Sequence, residues 1–227
     1  MTLGNRIKRY EQPFRFSAVR RLPLMIRVDG RAFHTFTRSL TKPFDGRMMD
    51  AMVAAALETA RDMQGFKAAY VQSDEVTFCL TDYDTLETQG WFDYELAKVI
   101  SISAATMSVW FNKYMETYGP VFDSRAFTVP ISDVVNAFLW RAKDWKRNSI
   151  QMYCQAFFSH KQLHGKKQAD MHEMLHSIGQ NWANLPDRIK NGTFVVLADV
   201  NLCVRSDILP TYESVNEAIG HLFKEVP

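Results

Sequence analysis

The stretch that most constrains this chain is Leu24-Met-Ile-Arg-Val-Asp-Gly-Arg-Ala-Phe-His-Thr-Phe36. Leu24 to Val28 is a short apolar run with β-branched members and reads as a buried strand. Asp29-Gly30 ends it, and Arg31 to Phe36 predicts a helix that begins at once. An acid at the end of a buried strand offers hard carboxylate oxygen to Mg²⁺. The free N–H groups of a first helical turn face an anion. The glycine lets the backbone approach closely. Taken alone, Asp-Gly is also an ordinary turn.

A second stretch, Ala68-Ala-Tyr-Val-Gln-Ser-Asp-Glu-Val-Thr-Phe-Cys-Leu80, reads as two strands joined tightly at Ser73-Asp74. Asp74 and Glu75 then sit at the hairpin tip. If the hairpin lies beside the first strand, Asp29 and Asp74 face each other across a sheet edge. Two acids so placed can bind a pair of divalent ions for in-line phosphoryl or nucleotidyl transfer. The plainer alternative is a solvated acidic turn.

The remaining pattern places these stretches in a fold. Leu3 to Tyr10 predicts a short helix. Phe44 to Met63 is helical, with Met48, Met52, Ala56 and Ala60 recurring at helical spacing. Phe92 to Tyr118 predicts a long helix ended by Gly119-Pro120, and Val121 to Pro130 a strand. Ser132 or Asp133 caps a helix from Val134 to about Lys143. Separate helices follow at Ser149 to Phe158 and Ala169 to Ile178, then a strand at Thr193 to Ala198 and a weak helix at Ser214 to Lys224. The order is β-α-β-β-α-β with added helices: an α/β (α+β) chain with the ferredoxin-like sheet of a polymerase palm. One catalytic domain is expected over 1–227, its palm core at about 22–130 and 190–200 and a helical extension at about 131–190.

Composition excludes little. The chain is 47% hydrophobic and 23% charged, with net charge +2 and pI about 8.4, which does not by itself indicate nucleic acid. Three scattered cysteines suit a reducing compartment and lack zinc-ligand spacing. No run has the length of a membrane span or a signal peptide. A soluble cytoplasmic protein is expected, with no membrane partner.

Several motifs, in order, carry a resemblance. They are Arg27-Val-Asp-Gly-Arg-Ala-Phe-His34, Thr41-Lys-Pro-Phe-Asp45, Gln72-Ser-Asp-Glu75 and Phe122-Asp-Ser-Arg125. Further on come Trp140-Arg-Ala-Lys-Asp144, Arg147-Asn-Ser-Ile150 and Asn181-Trp-Ala-Asn-Leu-Pro186. The chain resembles the tRNA-His guanylyltransferase family, including the Thg1-like 3′-to-5′ polymerases, from about Ile7 to Leu197. The resemblance implies an enzyme that adds nucleotides, GTP first, to the 5′ end of tRNA after activation with ATP or GTP. It implies two Mg²⁺ ions held by Asp29, Asp74 and the carbonyl of Gly30, with Glu75 as an adjacent catalytic acid. For nucleotide binding it implies Arg27, the amides of Arg31, Ala32, Phe33 and His34, and Ser73, Lys42 and Lys98.

Arg141, Asp144, Lys146, Arg147 and Asn148 read by themselves as a solvated basic helix; the resemblance implies that they grip the activating nucleotide or the tRNA 5′ end, since Arg binds phosphate as a fork. Other readings stay open at some positions. Arg27 serves equally as a structural ion pair, and His34 as a packing or capping residue. Phe33 and Phe36 suit a core, and Asp123 with Arg125 suits a strand ion pair. Where eukaryotic members read His-Ile-Asn, this chain reads Lys146-Arg-Asn148. That version is similar to the bacterial, archaeal and phage-type members, which implies template-dependent 5′-end repair. A homotetramer, or a homodimer, is expected, with the Phe92–Tyr118 helix as a candidate interface. Two other functions compete: a nucleotide cyclase or dinucleotide synthase on a related palm, and a non-catalytic RNA-binding module.

Overall fold

The computed structural model describes residues 1–224. Its centre is a six-stranded sheet of β1 (Leu24–Gly30), β2 (Phe66–Gln72), β3 (Glu75–Leu80), β4 (Phe122–Thr128), β5 (Thr193–Ala198) and β6 (Asn201–Arg205). The spatial order is β4-β1-β3-β2-β5-β6 and every pairing is antiparallel. The first four strands in order 4-1-3-2 are the ferredoxin-like arrangement expected from the sequence. The two later strands widen the sheet beyond β2. The β6 strand was not anticipated, because its residues are mostly exposed and its apolar run, Leu202 to Val204, is only three residues long.

The helices are α1 (Leu3–Glu11), α2 (Phe33–Phe36), α3 (Gly46–Arg61), α4 (Leu96–Met115), α5 (Val134–Gln155), α6 (His160–Leu163), α7 (Gln168–Ser177), α8 (Asp187–Asn191) and α9 (Tyr212–Ile219). Strand alternation sends Leu24, Ile26, Val28, Val76 and Phe78 to one face, where α3 and α4 cover them. Met25, Tyr70, Cys79 and Phe194 go to the other, under α5 and α9. Each such fully buried side chain contributes on the order of 1.5–3 kcal/mol.

Two helix boundaries differ from expectation. The predicted helix over 92–118 starts only at Leu96, because Phe92 and Asp93 take left-handed backbone (φ 51° each). Gly90 makes that turn possible, since a Cβ there would lie 2.7 Å from the Tyr94 ring. The two helices predicted over 134–158 are one. No Gly or Pro interrupts the charged run Lys143–Asn148, and charged residues propagate a helix readily. The single helix α5 therefore spans two cores. Its first half packs on the sheet, and its second half packs with α6, α7 and Trp182.

Candidate active site

The site forms where β1 and the β2–β3 turn end together. Asp29 pairs with Glu75 on β3 and with Asp123 on β4, so all three carboxylates share the sheet face toward α5. The Gly30 amide donates to the Asp74 carbonyl at 2.9 Å, which fastens the hairpin tip to the end of β1. Two non-glycine residues beside the acids take left-handed backbone, Ala32 (φ 54°) and Ser73 (φ 47°). Such residues cost on the order of 1–3 kcal/mol each and persist where the surroundings over-determine them. Gly30 is needed for a different reason. A Cβ there would stand 2.2 Å from the Phe33 ring, which folds back over it.

The electrostatics single out two of the acids. Burial raises Asp29 above the ordinary carboxylate range, and the charge of Asp123 adds to that. Burial likewise raises Asp74; a hydrogen bond from Ser73 works against this and the charge of Asp29 adds to it. The Asp29 carboxylate has no hydrogen bond or ion pair among the described residues. Glu75 is handled differently. Burial raises it too, but Arg141 opposes this with a two-pronged contact, Nε to Oε1 at 2.6 Å and Nη2 to Oε2 at 2.8 Å. Gln72 adds a third donor at 3.2 Å.

A cavity of about 440 Å³ opens beside the acids. Gly30, Ala32, Phe33, His34, Lys42, Ser73 and Asp74 line it, all of them expected at the site. Phe33 also belongs to the core, packed on Phe111 and Phe122. The Arg31 amide donates to the Val121 carbonyl at 2.9 Å, so the anion-facing amides are those at the start of α2. An adjoining trough of about 340 Å³ contains Asp29, Asp74, Glu75, Arg141 and Asn148.

Other expected residues are placed differently. Arg141 is buried and its fork is spent on Glu75 and, at 3.2 Å, on Asp144. It holds the acid rather than presenting a free grip for phosphate. Asp144 is further held by Arg147 and Asn148. Lys146 turns toward the Trp182 ring, 5.9 Å away, on the flank of the trough. Arg27 lies 4.0 Å from Glu75. Lys98 is far from the acids. It pairs with Glu95 at 3.4 Å on the first turn of α4. Ser108, which accepts from the Phe122 amide opposite Gly30, lies ten residues or ~15 Å further along that helix. Asp123 and Arg125 form the expected strand ion pair at 3.0 Å.

The sequence reading named Arg141 and Asn148 but missed Trp145, Met152 and Gln155, which complete a stripe on α5. Arg141, Trp145, Asn148, Met152 and Gln155 all line the trough. Their spacing of three and four is that of one helix face. Dividing α5 into two helices concealed it.

Among the described residues no group of three His, Cys, Asp or Glu side chains is arranged to hold a metal by itself. The Asp29 and Asp74 carboxylates on one trough, with a backbone carbonyl such as that of Gly30, are hard oxygen donors. Such a set suits an ion that keeps waters and substrate phosphates as its other ligands. No described helix is long and apolar enough to cross a membrane.

A ferredoxin-like sheet with two under-paired acids at its tip and an adjacent nucleotide-sized cavity defines a palm-type nucleotidyltransferase. Residues 4–130 match the family model of the tRNAHis guanylyltransferases, Thg1. The chain is 28% identical over 213 residues to a probable tRNA(His) guanylyltransferase of Drosophila melanogaster, covering 85% of this chain and 73% of that one. A bacterial Thg1-like protein solved in complex with ATP superposes with a TM-score of 0.92 at 35% identity, over 98% of this chain and 99% of the other. A second bacterial Thg1-like structure, in complex with GTP, gives a TM-score of 0.84 at 30% identity, covering 98% of this chain and all of that one. The chain belongs to the tRNA-His guanylyltransferase (Thg1) family, whose members are nucleotidyltransferases acting on tRNA. The cyclase and pure-binder alternatives fall with that finding.

Proposed function

We propose that this protein extends the 5′ end of tRNA in the 3′-to-5′ direction, copying a template base, with ATP or GTP as activator and GTP first among the nucleotides added. One observation carries the site assignment: Asp29 and Asp74, distant in sequence, line one trough beside a nucleotide-sized cavity. Asp29, Asp74 and the Gly30 carbonyl would hold two Mg²⁺ ions. When bound, these supply charge neutralisation on the phosphates and a more acidic 3′-hydroxyl. The chain's own residues orient the reactants. The amides opening α2, with Ser73 and Lys42, receive the triphosphate of the incoming nucleotide. Its 3′ oxygen then bonds to the activated 5′ phosphorus of the RNA, and the activating group leaves. Glu75, clamped by Arg141, keeps the β3 end of the trough fixed and negative.

The Lys146-Arg-Asn148 sequence supports the bacterial-type, template-copying reading. The free cysteines Cys79, Cys154 and Cys203 fit a cytoplasmic setting. A homotetramer or homodimer is part of the proposal, because α1 buries no residue and α4 leaves Ile102 and Val109 exposed. The palm core and helical extension act as one unit, since the first half of α5, in the extension, packs on the sheet of the core.

The test is extension of a 5′-monophosphate tRNA lacking its first nucleotide, with each of the four nucleoside triphosphates in turn, against full-length tRNA. Template copying predicts addition of the matched nucleotide alone. Addition of G to every substrate regardless of the opposing base rejects template copying. No product with any nucleotide rejects the function.

A further inference from the structure

The β4 edge of the sheet face toward α5 is uncovered. On β4 the residues Asp123, Arg125 and Phe127 all point to that face and are exposed. Their partners on β1 are Asp29, Arg27 and Met25. The two strands thus present three rungs in order from the site: acid beside acid, arginine beside arginine, apolar beside apolar. Successive rungs are two residues apart, or about 7 Å.

Trp140 of α5 stands at the border of this bare edge. The guanidinium carbons of Arg141 and Arg27 lie 4.6 and 5.8 Å from its ring centroid. Even so, Trp140 is 56% exposed, the most exposed of the five tryptophans. The Arg27 side chain is only 19% exposed, and its Nε has no hydrogen-bond partner. An indole more than half exposed to water costs hydrophobic free energy, even where it packs against Arg141 and Arg27. Arginines beside an exposed indole, one rung from two acids, are the ingredients that hold a nucleobase and its phosphate together.

We propose that Trp140 is the platform on which the terminal base at the 5′ end of the RNA stacks. This inference rests on the proposed 5′-end nucleotidyl transfer. The occupant follows from the rungs. The base lies on Trp140, Arg27 and Arg125 line the intervening rung, and the 5′ phosphate reaches Asp29. A single nucleotide bridges that span between its base and its phosphate. The stack positions the reacting phosphorus and takes no part in the chemistry.

The experiment combines kinetics with a direct readout of stacking. The Trp140→Ala variant is assayed for extension of 5′-truncated tRNA. In parallel, wild type and variant are titrated onto a 5′-monophosphate tRNA whose terminal base is 2-aminopurine. The expected result is a rise in the KM for RNA of roughly 5- to 100-fold, the range for one lost base stack. The KM for GTP and the kcat at saturating RNA should move less than about twofold on the same scale. Wild type should quench 2-aminopurine fluorescence and Trp140→Ala should not, while Trp140→Phe keeps most of both effects.

An unchanged RNA KM with quenching intact overturns the proposal. So does a joint loss of kcat and melting temperature with no selective effect on RNA, which would make Trp140 a support for Arg141 alone. A changed sedimentation coefficient with an unchanged RNA KM would make the bare face a contact between copies, and also overturns it. If wild type extends no RNA, it is the proposed function that fails. If wild type and Trp140→Ala extend equally well, only the stack fails.

Discussion

Strand β3 has an aspartate just before it and another just after it, and the fold treats them in opposite ways. Asp82, past the end of β3, is fully buried and fully answered. Arg20 Nε bonds to one of its oxygens, and the Arg21 amide donates to the other at 2.9 Å. Asp74, at the other end, is half-buried with no cation in contact; burial pushes it up, a hydrogen bond from Ser73 works against this, and the charge of Asp29 adds to it. A buried acid with its partners present is a fastening. A buried acid without them stores unfavourable free energy that a cation can relieve. Asp82 ties the N-terminal arm to the sheet, whereas Asp74 and Asp29 await charge from outside the chain.

Substitution should separate the two kinds of acid. The largest effect is expected from Asp29→Asn or Asp74→Asn. Each should cut RNA extension by about 10³-fold or more, the several kcal/mol a metal-held phosphate contributes. The thermal unfolding midpoint should stay level or rise, because a buried repulsion is removed. Near-normal extension in both variants would dissolve the contrast. Next in size is Arg141→Met, which leaves Glu75 buried without its counter-ion and should cost about 3–5 kcal/mol in urea unfolding. The double variant Glu75→Met/Arg141→Met should recover most of that loss. If it does not, Glu75 is not an acid of the Asp82 kind.

Asp82→Ala should cost less, about 2 kcal/mol, since Arg20 remains partly exposed to water. The folded fraction should extend RNA at the wild-type rate; a rate loss beyond the stability loss would join this end of the sheet to the site. The smallest effect is expected at Asp45, whose carboxylate caps α3 by accepting from the amides of Met48 and Thr41, each at 3.0 Å. Those bonds, that to Met48 first, hold it below the ordinary carboxylate range. Asp45→Ala should cost about 1 kcal/mol at neutral pH. The sign follows from the lowered carboxyl. Its contribution is complete above the ordinary carboxylate pKa and fades as pH falls through the lower value in the folded state. The gap between wild type and variant in unfolding free energy should therefore close in acid, and a gap constant down to low pH would deny the cap its charge.

The palm core was legible because its signals are local. Leu24–Val28 and Ala68–Leu80 are apolar, β-branched and punctuated at Asp29-Gly30 and Ser73-Asp74, so strands and tips could be read directly. Strand β6 and the start of α4 were not legible. The first has no apolar alternation, and the second depends on three left-handed residues that no composition rule predicts. On the site, Gly30, His34, Lys42, Ser73 and Asp74 were found by motif and do line one cavity. Trp145 and Gln155 were not, because a face of α5 shows only once the helix is continuous.

The sequence alone determined which acids end which strands, since turn chemistry and side-chain alternation act over a few residues. Only the tertiary structure decided which acids remain unpaired. Arg141 reaches Glu75 across 66 positions and leaves Asp29 and Asp74 with no cation in ion-pair contact, although Arg125, Arg27 and Arg141 act on Asp29 from further off. Lys98, equally basic on paper, was carried elsewhere by the helix axis. Charge compensation is a matter of ångströms in space, and a distance along the chain does not fix it.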